Sequence, residues 1–119
     1  MKSLKLYIVL FVSLFAFKFS FGQASQTETI TVNGNCGMCK KNIEKSAIDA
    51  GATVATWDKK TKFLTVSYDP GVSNSEKIQT AIAQAGYDTQ DVKASDSAYF
   101  KLEECCQYER KQLKAPKKN

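Results

Sequence analysis

Thr27-Glu28-Thr29-Ile30-Thr31-Val32-Asn33, then Gly34-Asn35, then Cys36-Gly37-Met38-Cys39 and the helical run on to Gly51: on this stretch the reading of the fold turns. From Thr27 to Asn33 polar and apolar residues alternate, with Ile30 and Val32 on one face and threonines on the other, the period of a strand. Gly34 and Asn35 break the pattern. From Met38 to Ala50 the spacing becomes helical. Cys39, Ile43, Ala47 and Ala50 form one stripe, Lys40, Lys41, Glu44 and Lys45 lie elsewhere, and Gly51 marks the stop. A Cys-x-x-Cys pair therefore sits where a strand hands over to a helix. The chain has no histidine, so these two thiols are its clearest soft-metal or redox group.

Working outward, Thr53 to Trp57 reads as a second strand and Asp58-Lys59-Lys60-Thr61 as a polar turn. Phe63 to Tyr68 is a third strand, with Leu64, Val66 and Tyr68 on one face, and Asp69-Pro70-Gly71 ends it. Ser73 or Ser75 is expected to cap a second helix whose buried stripe is Ile78, Ala81, Ile82 and Ala85, with Gly86 as the stop. Tyr87 to Lys93 reads as the last strand. The order β-α-β-β-α-β predicts an α+β, ferredoxin-like sandwich over residues 23–93, with two helices on one face of an antiparallel four-stranded sheet.

The position of the pair explains its chemistry. A helix N-terminus carries positive potential and unpaired N–H groups, which favour thiolate over thiol. Cys36 in the loop and Cys39 in the first turn can converge on one ion, with Lys40 and Lys41 adding positive charge nearby. Two thiolates with no imidazole or carboxylate in the motif select thiophilic ions: Cu(I) first, then Hg(II) and Zn(II). Two ligands in an exposed loop suit handing an ion on, whereas a closed four-ligand site suits keeping it.

Asn33-Gly34-Asn35-Cys36-Gly37-Met38-Cys39 at the end of the first strand, Tyr68-Asp69-Pro70 after the third, and Ile82-Ala83-Gln84-Ala85-Gly86-Tyr87-Asp88 leading into the fourth resemble the heavy-metal-associated domain family. That family includes copper chaperones, periplasmic mercury-binding proteins and the metal-binding modules of transport ATPases. The resemblance spans about residues 27–93. It implies that Cys36 and Cys39 are the metal ligands and that Tyr87 is the aromatic residue packed near the loop. One position departs from the family. Its usual methionine two residues before the first cysteine is Gly34 here, and Met38 lies between the cysteines instead. Met38 either takes over the packing role or faces solvent as a weak thioether ligand. Packing is the expectation, since methionine most often fills space.

Beyond Lys93 the family pattern ends. Ser95 or Asp96 is expected to cap a C-terminal helix running to about Leu113, within a segment 94–119 that carries Cys105-Cys106 and a basic tail. Tyr99, Leu102, Cys106 and Leu113 fall on one face, with Cys105 about 100° away from Cys106. Three roles are open for the second pair. Cys106 is a buried small hydrophobe with Cys105 incidental; or one or both thiols join Cys36 and Cys39 in a three- or four-thiolate site that retains Cu(I), Zn(II) or Cd(II); or the pair exchanges disulfides with the first. Arg110, Lys111, Lys114, Lys117 and Lys118 read as a solvated, frayed end rather than a nucleic-acid surface.

The first residues read as an address. Two lysines precede an almost wholly apolar run from Leu6 to Phe17, followed by small residues suited to cleavage near 22–24. The run is shorter than the ~20 residues a membrane span needs, and Lys18 interrupts its end. A signal peptide over 1–22 is expected, hence a periplasmic or secreted protein with no stable membrane insertion. Lys2, Lys5 and Lys18 leave with it, so the +5 of the whole chain falls to about +2.

Export puts the thiols where disulfides form. Yet Cys36–Cys39 would close too small a loop to restrain the unfolded chain much, and adjacent Cys105–Cys106 would make a strained ring. The spacing favours chemistry over stapling. Without histidine there is no Ser/His or Cys/His pair, no Gly-rich phosphate loop appears, and the carboxylates are dispersed. The rival class is a thiol-disulfide oxidoreductase of thioredoxin type, which uses the same Cys-x-x-Cys before a helix. Against it stand Asn35 where an aromatic is usual and Pro70 and Pro116 in poor positions to face such a site. The expectation is a non-enzymatic protein that transfers or sequesters a soft ion. Its partner would be a donor or acceptor such as a metal-transport ATPase or another thiolate-loop protein.

Overall fold

A computed structural model of the chain describes residues 25–112 and 115–116. The expected leader and its cleavage site, with Leu113, Lys114, Lys117 and Lys118, lie outside the described residues. The elements are β1 (Gln26–Thr31), α1 (Gly37–Asp49), β2 (Ala52–Trp57), β3 (Phe63–Tyr68), α2 (Ser75–Gln84), α3 (Asp96–Phe100) and a short 3-10 turn, Glu104–Cys106. Among the described residues the sheet has three strands in the order β1-β3-β2, all antiparallel.

In β3 the alternation read from the sequence is the alternation of burial, whereas from Ile30 to Asn33 the first strand and its continuation are buried on both faces. Ile30 faces Leu64 across β1 and β3, Trp57 faces Leu64 across β2 and β3, and Val66 and Tyr68 continue the same buried face. The opposite face carries Thr27, Thr29, Thr65 and Ser67, with Thr27 and Ser67 hydroxyls 2.8 Å apart. α1 covers the sheet with the expected stripe, Cys39, Ile43 and Ala47, each withdrawn from solvent, and packs on β2 and on α2. Fully burying an aliphatic side chain of this size contributes about 1.5–3 kcal/mol. The N-terminal cysteine of the motif is therefore held at the edge of the core and the second one inside it.

Three expectations are corrected here. The cap of α2 is neither Ser73 nor Ser75 but Asn74, whose side chain accepts from the Lys77 N–H at 2.8 Å. Ser73 instead donates its hydroxyl to the Ala50 carbonyl at 2.7 Å, tying the loop to the end of α1.

The fourth strand is not formed. Tyr87–Lys93 runs beside the end of β1 through one bridge, Val32 to Thr89, flanked by Asn33 N–H donating to Asp88 O (2.9 Å) and Gln90 N–H to Thr31 O (3.0 Å). It then turns, with Thr89 N–H donating to Val92 O at 2.8 Å while the buried Gln79 amide oxygen accepts from the Thr89 hydroxyl and the Asp91 N–H. The Asp88 N–H is taken by the Tyr108 hydroxyl at 2.8 Å, so a side chain occupies an edge where a ladder would continue.

The long C-terminal helix is also absent. Ser95 does cap a helix, accepting from Ala98 N–H, but α3 stops at Phe100. The chain then folds back as the 3-10 turn and an extended segment. Gly86, at φ +108°, permits this approach, since a Cβ there would lie 2.8 Å from the Ala98 carbonyl oxygen and 3.0 Å from Leu102. Residues 101–110 thus form a strap over the end of the domain that carries the Cys-x-x-Cys loop.

Candidate metal centre

Cys36 occupies the N-cap of α1 in extended conformation, and Cys39 lies in its first turn with no acidic residue beside it. Their sulfurs are 3.2 Å apart. The strap brings in a third: Cys106 Sγ lies 3.5 Å from Cys36 Sγ, and the three sulfurs all fall within 4.8 Å of one another. Cys39 and Cys106 are fully buried and Cys36 partly so, while Cys105 is exposed, with its sulfur 3.8 Å from that of Cys106. All four cysteines are free. The structure thus brings together Cys36, Cys39 and Cys106, and leaves Cys105 beside the group at the surface.

The loop is held from below by Trp57. Its indole N–H donates to Val32 O at 3.0 Å, and its ring fills the space beside Gly34, where a Cβ would meet indole carbons at 3.0 Å and Ile43 at 3.2 Å. A bulky side chain at position 34 has no room while Trp57 occupies it. This corrects the expectation for Met38, which is 47% exposed and does not pack into the core. The support passes to Trp57, and Lys62 strengthens it: its ammonium donates to the Gly34 carbonyl and lies 5.6 Å from the centre of the Trp57 ring. Lys40, expected to offer free charge beside the motif, is engaged inward with Glu44 (2.5 Å) and the Trp57 carbonyl (3.1 Å).

Tyr87 follows the Gly86 turn after α2. It is fully buried, accepts a hydrogen bond from the Asn42 amide at 3.0 Å, and stacks on Tyr108 with ring centres 5.9 Å apart. Burial raises its hydroxyl well above the ordinary tyrosine range, so it stays a neutral donor beside the sulfurs.

The strap is fastened by two residues. Tyr108 donates its hydroxyl to Gly86 O at 2.8 Å and accepts from Asp88 N–H. Arg110 grips Asp88 with two nitrogens at 2.8 and 2.9 Å, reaches Asp96 at 2.7 Å and the Ala94 carbonyl at 2.7 Å, and lies over the Tyr99 ring. The Asp88 carboxylate is almost fully buried, so its own desolvation opposes ionisation. The guanidinium and the Ala94 N–H outweigh this and hold its pKa below the usual range. Arg110 is therefore not part of a solvated tail. Charge-assisted forks of this kind are the stronger class of hydrogen bond.

The thiols are electrostatically unequal. For Cys36, desolvation works against the thiolate but is outweighed by the backbone N–H groups of Cys39 and Met38 and by the Cys39 and Cys106 thiols, which bring it down to about 7. Cys106 goes the other way, pushed up by burial and then by the competing thiols of Cys39 and Cys36. Cys39 donates its S–H to the Asn35 side-chain oxygen at 3.2 Å. The thiolate is the reactive form. In the reduced, metal-free protein, alkylation of Cys36 by iodoacetamide should therefore be slow below about pH 7 and rise to a plateau above it. Peptide mapping with fragment-ion sequencing checks this, with Cys106, unlike its exposed neighbour Cys105, remaining unmodified until the protein unfolds.

Asn35, Asn42, Tyr108 and Arg110 were not marked as site residues by the sequence. Asn35 and Asn42 had a local signal, the one directly before Cys36 and the other one helical turn after Cys39. Asn35 acts locally too, accepting from the Cys39 thiol four residues on, whereas Tyr108 and Arg110 matter only through contacts that the strap makes across the fold.

No protein-family model matches the chain, and no curated protein does. Solved structures do. The CopZ metallochaperone superposes with a TM-score of 0.51 at 29% identity, over 54% of this chain and 98% of that one. A putative copper-ion-binding protein from Bacillus anthracis gives 0.54 at 28% identity, over 58% and 100%. Oxidised MerP from Ralstonia metallidurans gives 0.52 at 28% identity, over 56% and 94%. The fold and the thiol cluster thus define a small α+β metal-binding domain. The resemblance is to the heavy-metal-associated domain family, and it extends over about 55% of the chain.

Proposed function

We propose that this protein is an exported carrier of a single soft metal ion, with Cu(I) as its first cargo and Hg(II), Zn(II) or Cd(II) as the other ions its donors suit. The observation that carries the reading is the gathering of the Cys36, Cys39 and Cys106 sulfurs within 4.8 Å of one another, with no imidazole or carboxylate among them. Three sulfur donors at the edge of the hydrophobic core favour a thiophilic, low-coordinate ion over Mg(II) or Ca(II), which require oxygen ligands. Cys36 and Cys39 are the pair fixed by the helix N-terminus, and Cys106 closes the third side.

The similar structures include a metallochaperone and a putative copper-ion-binding protein, which supports cargo handling rather than catalysis. The ion would be taken from, or passed to, a metal-transport ATPase or another protein with a thiolate loop. Export rests on the apolar leader, and the compartment would be the periplasm or the exterior. Anaerobic competition between the reduced protein and a chromophoric Cu(I) chelator tests the reading. One Cu(I) per chain is expected. Absence of competitive Cu(I) uptake, with Zn(II) or Hg(II) bound instead, would replace copper as the cargo. Uptake of none of them would end the metal reading.

A further inference from the structure

Resting on that reading, we propose that Cys105 is the exchange ligand of the site, the surface thiol through which the ion passes between the buried thiols and an external thiol. The four sulfurs form a file. Cys39, fully buried, is 3.2 Å from Cys36; Cys36 is 3.5 Å from Cys106; Cys106 is 3.8 Å from Cys105, which is exposed. Each step is short enough for one ion to touch two sulfurs at once. Cys105 is not a member of the compact three-sulfur group, so it is placed to receive the ion rather than to hold it.

The strap makes a surface thiol useful. Cys39 and Cys106 show no surface to an acceptor, and Cys36 already faces both of them. The turn that presents Cys105 is firmly fixed. Cys106 N–H donates to Glu103 O at 2.8 Å, Gln107 N–H to Glu104 O at 3.1 Å, and the Asn33 amide to Glu109 O at 3.1 Å, with Tyr108 and Arg110 clamped beyond. Cys105 and Cys106 therefore stay side by side, one facing out and one facing in.

The step is ligand substitution and no electron changes hands. Cys105 loses its proton to solvent as its sulfur bonds the ion. The Cys39–metal bond breaks, and the Cys39 sulfur takes up a proton and donates it again to Asn35 Oδ1, the hydrogen bond of the metal-free state. An external thiolate then bonds the ion as Cys36 lets go, and the remaining bonds to Cys106 and Cys105 break in turn, each of these two sulfurs taking a proton back from solvent while the ion leaves on the external thiolate. Loading runs the same sequence backwards.

The test separates equilibrium from rate. Full-length reduced protein, wild type and Cys105→Ser, is loaded anaerobically with one equivalent of Cu(I). Affinity is measured by competition with bicinchoninate, and transfer by the rate of colour development when glutathione and excess bicinchoninate are added together. Cys105→Ser, an exposed and conservative change, should hold Cu(I) with unchanged stoichiometry and affinity within about twofold, and release it about tenfold more slowly. Transfer at the wild-type rate would overturn the proposal and place exchange at Cys36. A loss of affinity in Cys105→Ser would overturn it too, by making Cys105 a fourth holding ligand. Failure of the wild type itself to take up Cu(I) would overturn the copper reading and this exchange route with it, an outcome distinct from both.

Discussion

Cys36→Ser and Cys39→Ser each weaken Cu(I) binding by more than about a hundredfold while leaving the fold in place. Changes to residues that merely support a metal ligand typically cost 10–100-fold in affinity, and these changes remove the ligand itself. A serine hydroxyl is not deprotonated at neutral pH and is a poor partner for a soft ion. The two variants differ in what else they touch. Cys36 is partly exposed at the N-cap of α1, a position that serine favours, so its loss costs the fold little. Cys39 is fully buried, but Asn35 Oδ1 at 3.2 Å remains as an acceptor for the new hydroxyl, so no polar group is left without a partner. Competition titration beside thermal melts followed by circular dichroism reads both effects at once. Unfolding of either variant would make the pair a structural element and would remove the basis for a metal site.

How far the sequence reveals this site depends on the distance over which each contact acts. β3 was readable to its ends because Leu64, Val66 and Tyr68 alternate with polar neighbours, and that pattern is local. The α1 stripe was readable for the same reason, since Cys39, Ile43 and Ala47 are one turn apart. The fourth strand failed because the groups of Asp88 and Thr89 are claimed from elsewhere: the Asp88 N–H by Tyr108, the Thr89 hydroxyl by Gln79. The terminal helix failed for a similar reason. Its cap, Ser95, is real, yet beyond Phe100 the contacts of Leu102 with Gly86, Tyr108 with Tyr87, and Arg110 with Asp88 override helical propensity. The spacing on an ideal helix nevertheless placed Cys105 and Cys106 in different directions, and the strap does the same by another geometry. That residue 106 meets residue 36 is invisible to any local pattern. Only the presence of a second cysteine pair in a chain without histidine pointed to it.

Trp57→Ala should be the most costly single change in the core, destabilising the protein by about 3–5 kcal/mol. This is a large share of the 5–15 kcal/mol typical of a small domain. Trp57 is 1% exposed and joins three parts of the structure. Its indole N–H binds Val32 at the end of β1, its backbone N–H donates to Glu44 of α1 at 2.8 Å, and its ring underlies Gly34 in the metal loop. Removing the ring leaves a cavity under the loop and frees Lys62 from its seat above the indole. The damage should therefore reach the site, loosening the Cys36 position as well as lowering the denaturant midpoint.

The converse change tests the same geometry. In wild type, Gly34→Ala would push a Cβ to 3.0 Å from the indole, tighter than ordinary contact, so it destabilises. In the Trp57→Ala background the same methyl points into the vacated space and becomes favourable. The two effects should be non-additive by about 0.5–3 kcal/mol, the range for residues in direct contact. Urea denaturation of the two single variants and the double variant measures this coupling. Strict additivity would show that Trp57 does not fill the place beside Gly34. The absence of a methionine at position 34 would then need another cause.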